Sequence, residues 1–202
     1  PGSSTHMLVN HLLASVGLKQ DDVSIIGVGT GPTAVAAMRS GQIDALSSVE
    51  PVMTLLERSG DIRIVVETIT EKGVREVFGG SMPAATLYAR ADFIEQNPHT
   101  VQALTNAIVR ALLWLQHCTT EDVLNTVPPE YLLGDKALYA ASFERLRPTY
   151  SKDGVIPKKG VDHSYQVLLA HNAAVRRAPV VWISQTYTNV FVEKALQKYK
   201  QE

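Results

Sequence analysis

The first half of the chain alternates between short apolar runs and segments with helical periodicity. The apolar runs have the length and β-branched content of buried strands, at residues 23–28, 43–46, 62–67 and 84–89. Between them, apolar residues recur at helical spacing at residues 5–16, 32–39 and 50–60. Strands that alternate with helices predict an α/β fold with a largely parallel sheet.

The second half is predicted to be almost entirely helical. A long amphipathic helix begins at Asn97-Pro98, and further helices are predicted from Thr119, over 135–145, over 161–175 and over 187–200. Only residues 180–183 resemble a strand there. This change of pattern predicts two packing units, an α/β ligand-binding lobe at 1–92 and a mainly helical segment at 93–202.

Local signals mark several helix ends. Ser3, Ser4 and Thr5 are residue types that cap helix N-termini, and Gly17 suits the end of the helix that follows. Pro32 stands in a predicted first turn, where its missing N–H removes no hydrogen bond.

Composition excludes several classes of protein. The 202 residues carry 19 Lys plus Arg against 20 Asp plus Glu without a basic cluster, so a nucleic-acid partner is not expected. Cys118 is the single cysteine, which excludes an internal disulfide and a cysteine-based zinc site. No apolar run is long enough for a membrane helix, and the start at Pro1 suggests a piece of a longer chain that would carry a signal peptide.

Three polar junctions stand where a predicted strand ends or should have ended. They are Ser3–Thr5, Gly29–Gly31 and Ser47–Glu50. In open α/β sheets ligands bind at the carboxyl ends of the strands, so these junctions predict one polar cleft. The glycine run at 27–31 does not complete a dinucleotide fingerprint, because Pro32 occupies the position of its last glycine.

The sequence carries no recognisable catalytic constellation. The six histidines are scattered, and no serine-hydrolase, zinc-protease or phosphate-loop motif is present. His117 and Cys118 are adjacent, and adjacent helical residues point in different directions. We therefore expect a non-enzyme without metal or cofactor.

An ordered series of motifs resembles one family. The series comprises Gly2-Ser3-Ser4-Thr5-His6, the run from Gly31-Pro32-Thr33 through Ser40-Gly41-Gln42-Ile43-Asp44-Ala45, Glu50-Pro51, Tyr88-Ala89-Arg90-Ala91-Asp92-Phe93 with Asn97-Pro98, and the closing Tyr187-Thr188-Asn189-Val190-Phe191. It is similar to the solute-binding proteins of the nitrate, sulfonate and taurine group of ABC transporters, which includes binders of thiamine pyrimidine precursors. Val49 stands where many relatives have Trp, so the ligand does not transfer from the family.

The resemblance implies a type II periplasmic-binding-protein fold with two lobes around a cleft, here incomplete. The chain would supply the second lobe and the helices that return to the first. Carried over residue by residue, Ser3, Ser4 and Thr5 would line the cleft, with Thr30, Gly31 and Glu50 as further candidates. Glu50 could accept hydrogen bonds from a ligand amino group or serve the helix beside it.

The resemblance also implies partners and a location. A small solute would bind in the cleft, and the complete protein would dock on an ABC permease from the periplasm. An incomplete fold should expose apolar surface, so we expect the chain to form a homodimer. Two alternatives share the fold: a pyrimidine-precursor synthase, for which His6 would be the residue of interest, and a ligand-sensing domain.

Overall fold

The computed structural model describes residues 2–132, 134–179 and 182–199, and helices dominate this part of the chain. The first half contains α1 (Ser4–Ser15), α2 (Pro32–Arg39), α3 (Val52–Arg58), α4 (Glu71–Phe78) and α5 (Ala91–Gln96). The second contains α6 (Pro98–Leu115), α7 (Thr120–Thr126), α8 (Lys136–Leu146), α9 (Lys158–His171), α10 (Ala173–Arg177) and α11 (Val190–Tyr199). Short 3-10 turns lie at Gln20–Asp22, Pro129–Leu132, Arg147–Thr149 and Ile183–Gln185.

Several predicted helix starts agree with the structure, although α4, which Thr70 caps, was not predicted. Ser3 caps α1, Thr119 caps α7 and Asp135 caps α8, each with a side-chain oxygen that accepts a backbone N–H of the first turn. Pro32 and Pro98 occupy the first turns of α2 and α6. The helix predicted over 161–175 is instead divided into α9 and α10, because Asn172 is extended and caps α10.

The predicted strands are the main correction to the sequence analysis. Residues 23–28, 43–46, 62–67 and 84–89 contain no β-strand in the structure, and no backbone hydrogen bond joins one of these extended segments to another among the described residues. A strand requires a neighbouring segment that pairs with its N–H and C=O groups. The apolar pattern predicts an extended segment, but it does not predict whether a partner segment lies beside it. The predicted strand at 180–183 falls partly outside the described residues, and Ile183 lies in a 3-10 turn.

Three small apolar clusters hold the helices together. α2 packs on α3 through Ala34, Val35, Val52 and Leu56, all buried. The other two clusters lie in the second half: α6 packs on α11 through Val109, Val192 and Ala195, and α7 packs on α8 through Cys118, Val123 and Phe143. Each cluster lies between helices of the same half of the chain.

Contacts between helices also connect the two halves. α1 packs on α9, and α3 packs on α8. The predicted boundary between residues 92 and 93 lies inside α5. The division into a lobe at 1–92 and a segment at 93–202 remains a prediction. No helix of the described chain is long and apolar enough to cross a membrane.

Candidate functional site

The N-terminus of α1 presents unpaired donors on a short polar turn. Ser3 Oγ accepts from the His6 backbone N–H at 3.2 Å and lies 2.9 Å from Thr5 Oγ1, so these two hydroxyls support each other. The backbone N–H groups of Ser4 and Thr5 and the exposed Ser4 hydroxyl make no hydrogen bond to the described residues. Together with the positive end of the helix dipole, these donors suit an anionic or strongly polar group.

The His6 side chain holds this turn through a hydrogen bond with Gly2. The Gly2 N–H donates to His6 Nδ1 at 2.9 Å, so Nδ1 is unprotonated and a neutral ring carries its proton on Nε2. Nε2 lies 3.4 Å from the Asn10 side-chain amide and 3.3 Å from that of Gln20. Asn10 Oδ1 is buried without a partner among the described residues, and a rotation of the amide would let it accept a hydrogen bond from the Nε2–H group.

A second polar segment reaches the same turn. Ser47 Oγ donates to the Thr5 carbonyl at 3.2 Å, which joins the extended segment before α3 to the start of α1. The neighbouring Ser48 hydroxyl is buried and has no hydrogen-bond partner among the described residues. The structure therefore brings the Ser3–Thr5 junction and the Ser47–Glu50 junction together. No hydrogen bond of the described chain connects Thr30 or Gly31 to them.

The loop before α2 forms its own concavity. Thr33 Oγ1 donates to the Val28 carbonyl at 2.7 Å, and Gly29 has a φ of 76°, which an L side chain rarely adopts. A Cβ on Gly29 would also lie 2.8 Å from Thr33 Oγ1. The concavity has a volume of about 320 Å³ and is lined by Gly27, Val28, Gly29, Thr33, Ala37 and Gln42.

Thr30 and Gly31 do not line this concavity, and the Thr30 hydroxyl is exposed and makes no hydrogen bond in the described structure. Thr33 and Gln42 do line it, and the sequence analysis did not single them out as site residues. The position of Thr33, one residue after the proline that opens α2, was a local signal for a side chain that folds back onto the loop.

The Glu50 side chain is buried and contacts other residues of the protein. Its side chain is only 4% exposed; Oε2 accepts from the Thr54 N–H at 3.0 Å, in the first turn of α3. Oε1 lies 3.3 Å from Arg145 Nε of α8, an ion pair whose angle does not complete a hydrogen bond. Glu50 thus supports the helix beside it, and a contact of Glu50 with a ligand stays a prediction.

Arg145 was not among the site residues predicted from the sequence. Besides Glu50 it pairs with Glu57, at 2.6 Å between Nη1 and Oε2, so one guanidinium connects two carboxylates of the α3 region to α8. The hydrogen bond from the Thr70 hydroxyl is the largest cause that lowers the pKa of Glu67, and the positive charge of Arg145 is the smallest of the causes that lower it. No sequence signal pointed to Arg145, because its partners are far away along the chain.

The part of the chain that the structure describes has no candidate metal site. It contains no group of three or more His, Cys, Asp or Glu side chains that could hold a metal ion. The hydroxyl and N–H donors at the start of α1 can bind and orient a polar group by hydrogen bonds.

Comparison with known proteins identifies the family. A model of the NMT1-like family matches residues 1–127, which include α1, the loop before α2, and Glu50. The chain belongs to the NMT1-like family. This membership confirms the solute-binding group that the ordered motifs resemble.

Two relatives place this NMT1-like chain more closely. A solved structure of a protein from Bordetella bronchiseptica RB50 is 47% identical to it and superimposes with a TM-score of 0.89 over 99% of this chain. The candidate binding protein YtlA of Bacillus subtilis (strain 168) is 26% identical over 125 residues, or 61% of this chain. The chain spans 63% of the Bordetella chain and 35% of YtlA, so it corresponds to part of each.

Proposed function

We propose that this chain is the solute-binding component, or part of it, of an ABC importer. It would take a small polar or anionic organic solute, such as a sulfonate, taurine, nitrate or a related compound, and act outside the cytoplasmic membrane without catalysing a reaction. The proposal includes a type II periplasmic-binding-protein fold and docking of the complete protein on a membrane permease. The observation that carries it is the set of unpaired donors at the start of α1.

The α1 turn supports binding of an oxyanion or a similar head group. The Ser4 hydroxyl and the Ser4 and Thr5 N–H groups donate no hydrogen bond to the described residues. A ligand would therefore not have to displace a protein acceptor. Such donors are charge-assisted when they meet an anion, and each bond of that kind contributes about 1.5–3 kcal/mol. Three of them are enough to fix the orientation of a small ligand.

Glu50 does not oppose an anionic ligand in this arrangement. An unpaired carboxylate near the cleft would repel an anion, which would favour a ligand with an amino group. Here Arg145 and the Thr54 N–H compensate the charge of Glu50 inside the protein. Sulfonates, nitrate and zwitterions such as taurine therefore all remain compatible with the site.

The state of His6 favours binding over catalysis. Its Nδ1 accepts from the Gly2 N–H and its Nε2 faces two side-chain amides, so the ring acts as a support for the turn. A synthase that consumed atoms of this histidine would need the ring to be accessible to the substrate. We therefore favour the binding protein over the synthase alternative.

Isothermal titration calorimetry tests the proposal. Nitrate, sulfate, alkanesulfonates, taurine and aminopyrimidines would be titrated into this chain and, in parallel, into the longer Bordetella relative. A ligand at 100 times its Kd would also raise the free energy of unfolding by about 2.7 kcal/mol, which thermal shift detects. Absence of binding to both proteins would refute the solute class.

A variant pair assigns the site within the chain. Ser4→Ala removes the unpaired hydroxyl, and we expect it to weaken binding by about tenfold, since a hydrogen bond to an anion is lost. Ser15→Ala, at the other end of α1, removes a hydroxyl that donates to the Leu12 carbonyl and should leave affinity unchanged. Equal affinities of Ser4→Ala and the unmodified protein would place the solute elsewhere.

A further inference from the structure

A groove follows the contact between α6 and α11, separate from the residues assigned to the solute. It has a volume of about 390 Å³, and its lining combines an apolar floor with polar and basic side chains: Pro98, His99, Gln102, Asn106, Phe191, Lys194 and Lys198. None of these seven residues is acidic. Two neighbouring helices thus supply a concave surface with cations on one side.

The charge around the groove is unbalanced. No Asp or Glu occurs from Gln96 to Thr120, which includes the whole of α6, and Glu193 is the one acidic residue of α11. Lys194 and Lys198 are exposed, and neither has a carboxylate within 4.0 Å among the described residues. Farther along the same contact, the guanidinium of Arg110 lies 5.7 Å from the centroid of the Tyr199 ring.

The frame of the groove is firmly built. Gln102 Nε2 donates at 2.9 Å both to the Phe191 carbonyl and to Asn106 Oδ1, which ties α6 to the first turn of α11. Below it, Val109, Val192 and Ala195 form a buried cluster. The lysines therefore stand on a surface that is held in shape before any ligand arrives, which lowers the entropic cost of binding.

We propose that this groove binds an acidic peptide segment of a partner protein, one that carries an apolar residue between its carboxylates. The carboxylates would pair with Lys194 and Lys198, and the apolar side chain would lie on Phe191 and Pro98. The inference does not depend on the proposed solute.

The composition of the groove argues for a peptide over other anions. A small inorganic anion would engage the lysines but leave Phe191 and Pro98 in water. A nucleic acid would require a wider basic surface than two lysines and Arg110 provide, and the net charge of the chain is −1. An acidic peptide satisfies both the apolar and the cationic parts of the lining.

Fluorescence polarisation tests the assignment with a labelled peptide of sequence Glu-Asp-Leu-Phe-Glu-Asp-Glu. The variant Lys194→Gln with Lys198→Gln removes both charges while keeping a good helix former at each position. The matched control is Lys152→Gln with Lys159→Gln, which removes two exposed lysines that have no ion pair among the described residues. Comparison peptides replace the acids by Asn and Gln, or replace Leu-Phe by Ser-Ser.

We expect the groove variant to weaken peptide binding by at least about tenfold and the control variant to leave it unchanged, at about 0.15 M salt where nonspecific attraction is screened. Both comparison peptides should bind more weakly than the parent peptide. In addition, the peptide should protect Lys194 and Lys198, but not Lys152, from acetylation measured by mass spectrometry.

Three results would overturn the inference. The first is no binding of the acidic peptide, and the second is equal loss in the groove and control variants, which would indicate nonspecific charge attraction. The third is a combination: inorganic phosphate competes fully with the peptide, and the Ser-Ser peptide binds as tightly as the parent peptide. That result would indicate that the groove binds anions in general and does not recognise a peptide.

Discussion

At the scale of single residues, several tightly packed groups lie around α3 and α4. Glu50 is almost completely buried against Arg145, and Gly73 of α4 packs directly on Glu67. Glu67 in turn accepts hydrogen bonds from Ile69 and Thr70 in the turn that leads into α4. Each of these residues acts through one or two specific partners, so single substitutions can separate their contributions.

We expect Glu50→Gln to lower the free energy of unfolding by about 1–3 kcal/mol. Loss of a buried ion-pair partner leaves a charge uncompensated, although Arg145 keeps Glu57 and remains 26% exposed, which moderates the cost. Urea unfolding measures the change. Glu57→Gln is the matched control: its side chain is 44% exposed, so we expect less than about 1 kcal/mol. Equal costs would contradict the role assigned to burial.

Gly73→Ala should destabilise the protein although alanine is the better helix former. In an open helix this change gains about 1 kcal/mol, but at Gly73 a Cβ would overlap the Glu67 backbone carbonyl and its carboxylate. We expect a net loss of about 1–3 kcal/mol, because a backbone atom cannot move aside cheaply. Thermal unfolding provides the measurement, and a raised Tm would show that α4 can shift away from Glu67.

Glu67 should make stability depend on pH. The Thr70 hydroxyl, with the N–H groups of Thr70 and Ile69, holds the pKa of Glu67 below its usual 4.5. A carboxyl whose pKa is lower in the folded state contributes stability that is present above the unfolded pKa, near 4.5, and is lost as pH falls through the folded pKa. We therefore expect Glu67→Gln to flatten the loss of stability on acidification.

Urea titrations at a series of pH values between neutrality and the acid range provide the comparison for Glu67. The Glu71→Gln variant is the control, because Glu71 makes an exposed ion pair with Arg75 within α4. If the unmodified protein and Glu67→Gln lose stability in parallel as pH falls, the hydrogen bonds of Thr70 do not favour the ionised form.

At the scale of elements, histidine and arginine side chains donate to carbonyls at helix C-termini. The last carbonyls of a helix have no N–H partner within the helix itself. His11 of α1 and His163 of α9 face the Val77 and Phe78 carbonyls at 2.7 Å, so two helices meet at the end of α4. Since a carbonyl can only accept, each ring nitrogen donates there. The positions of α1 and α9 are thus linked through α4.

Arg147 likewise donates hydrogen bonds to carbonyls at the C-terminal end of α6. Its Nη1 donates to the Leu115 and Cys118 carbonyls, at 3.2 and 2.9 Å, and its guanidinium lies 4.6 Å from the centroid of the Phe143 ring. Nη2 also pairs with Glu144 of α8. The end of the longest described helix is therefore joined to α8 through a single side chain.

We expect Arg147→Lys to lower stability by about 1–3 kcal/mol. Lysine keeps the charge but cannot reproduce the planar set of donors, so at least one carbonyl loses its partner. Arg75→Lys is the control, because Arg75 makes an exposed pair within α4 that should contribute less than about 1 kcal/mol. Chemical unfolding measures the free energy of both variants. An equally small effect of both would show that Arg147 does not stabilise the end of α6.

At the scale of the whole molecule, much apolar surface is open to solvent. The segments that the sequence predicted as strands expose large side chains, including Val65 at 80% and Tyr88 at 90%. Their backbone groups make no hydrogen bonds to each other in the described structure. Exposed apolar side chains beside unpaired extended backbone favour association with another polypeptide.

We expect the chain to form a homodimer through these segments. Size-exclusion chromatography with light scattering measures its mass in solution. Val65→Lys with Tyr88→Lys should shift the protein toward the monomer, because charges placed on the contact surface would have to lose their hydration. The control, Asn125→Lys with Gln197→Lys, adds the same charge at exposed polar positions of α7 and α11. A strictly monomeric unmodified chain would refute the expectation.

Sequence by itself determined several helix starts and the family. Ser3, Thr119 and Asp135 cap helices through bonds to residues three positions away, so neighbours along the chain are sufficient. The ordered motifs, taken together, identified the solute-binding group to which the NMT1-like family corresponds, because they match at several places along the chain. Such signals lie in short stretches or in the order of motifs along the chain, and they do not require the fold to be known.

Only the tertiary structure decided which residues pair across the chain. The role of Glu50 depends on Arg145, and the groove at α6 and α11 depends on two helices that are distant in sequence. The predicted strands failed for the same reason: an extended segment becomes a strand only when another segment pairs with its backbone. Long-range pairing is a property of the folded chain, and an apolar pattern along one segment does not encode the partner.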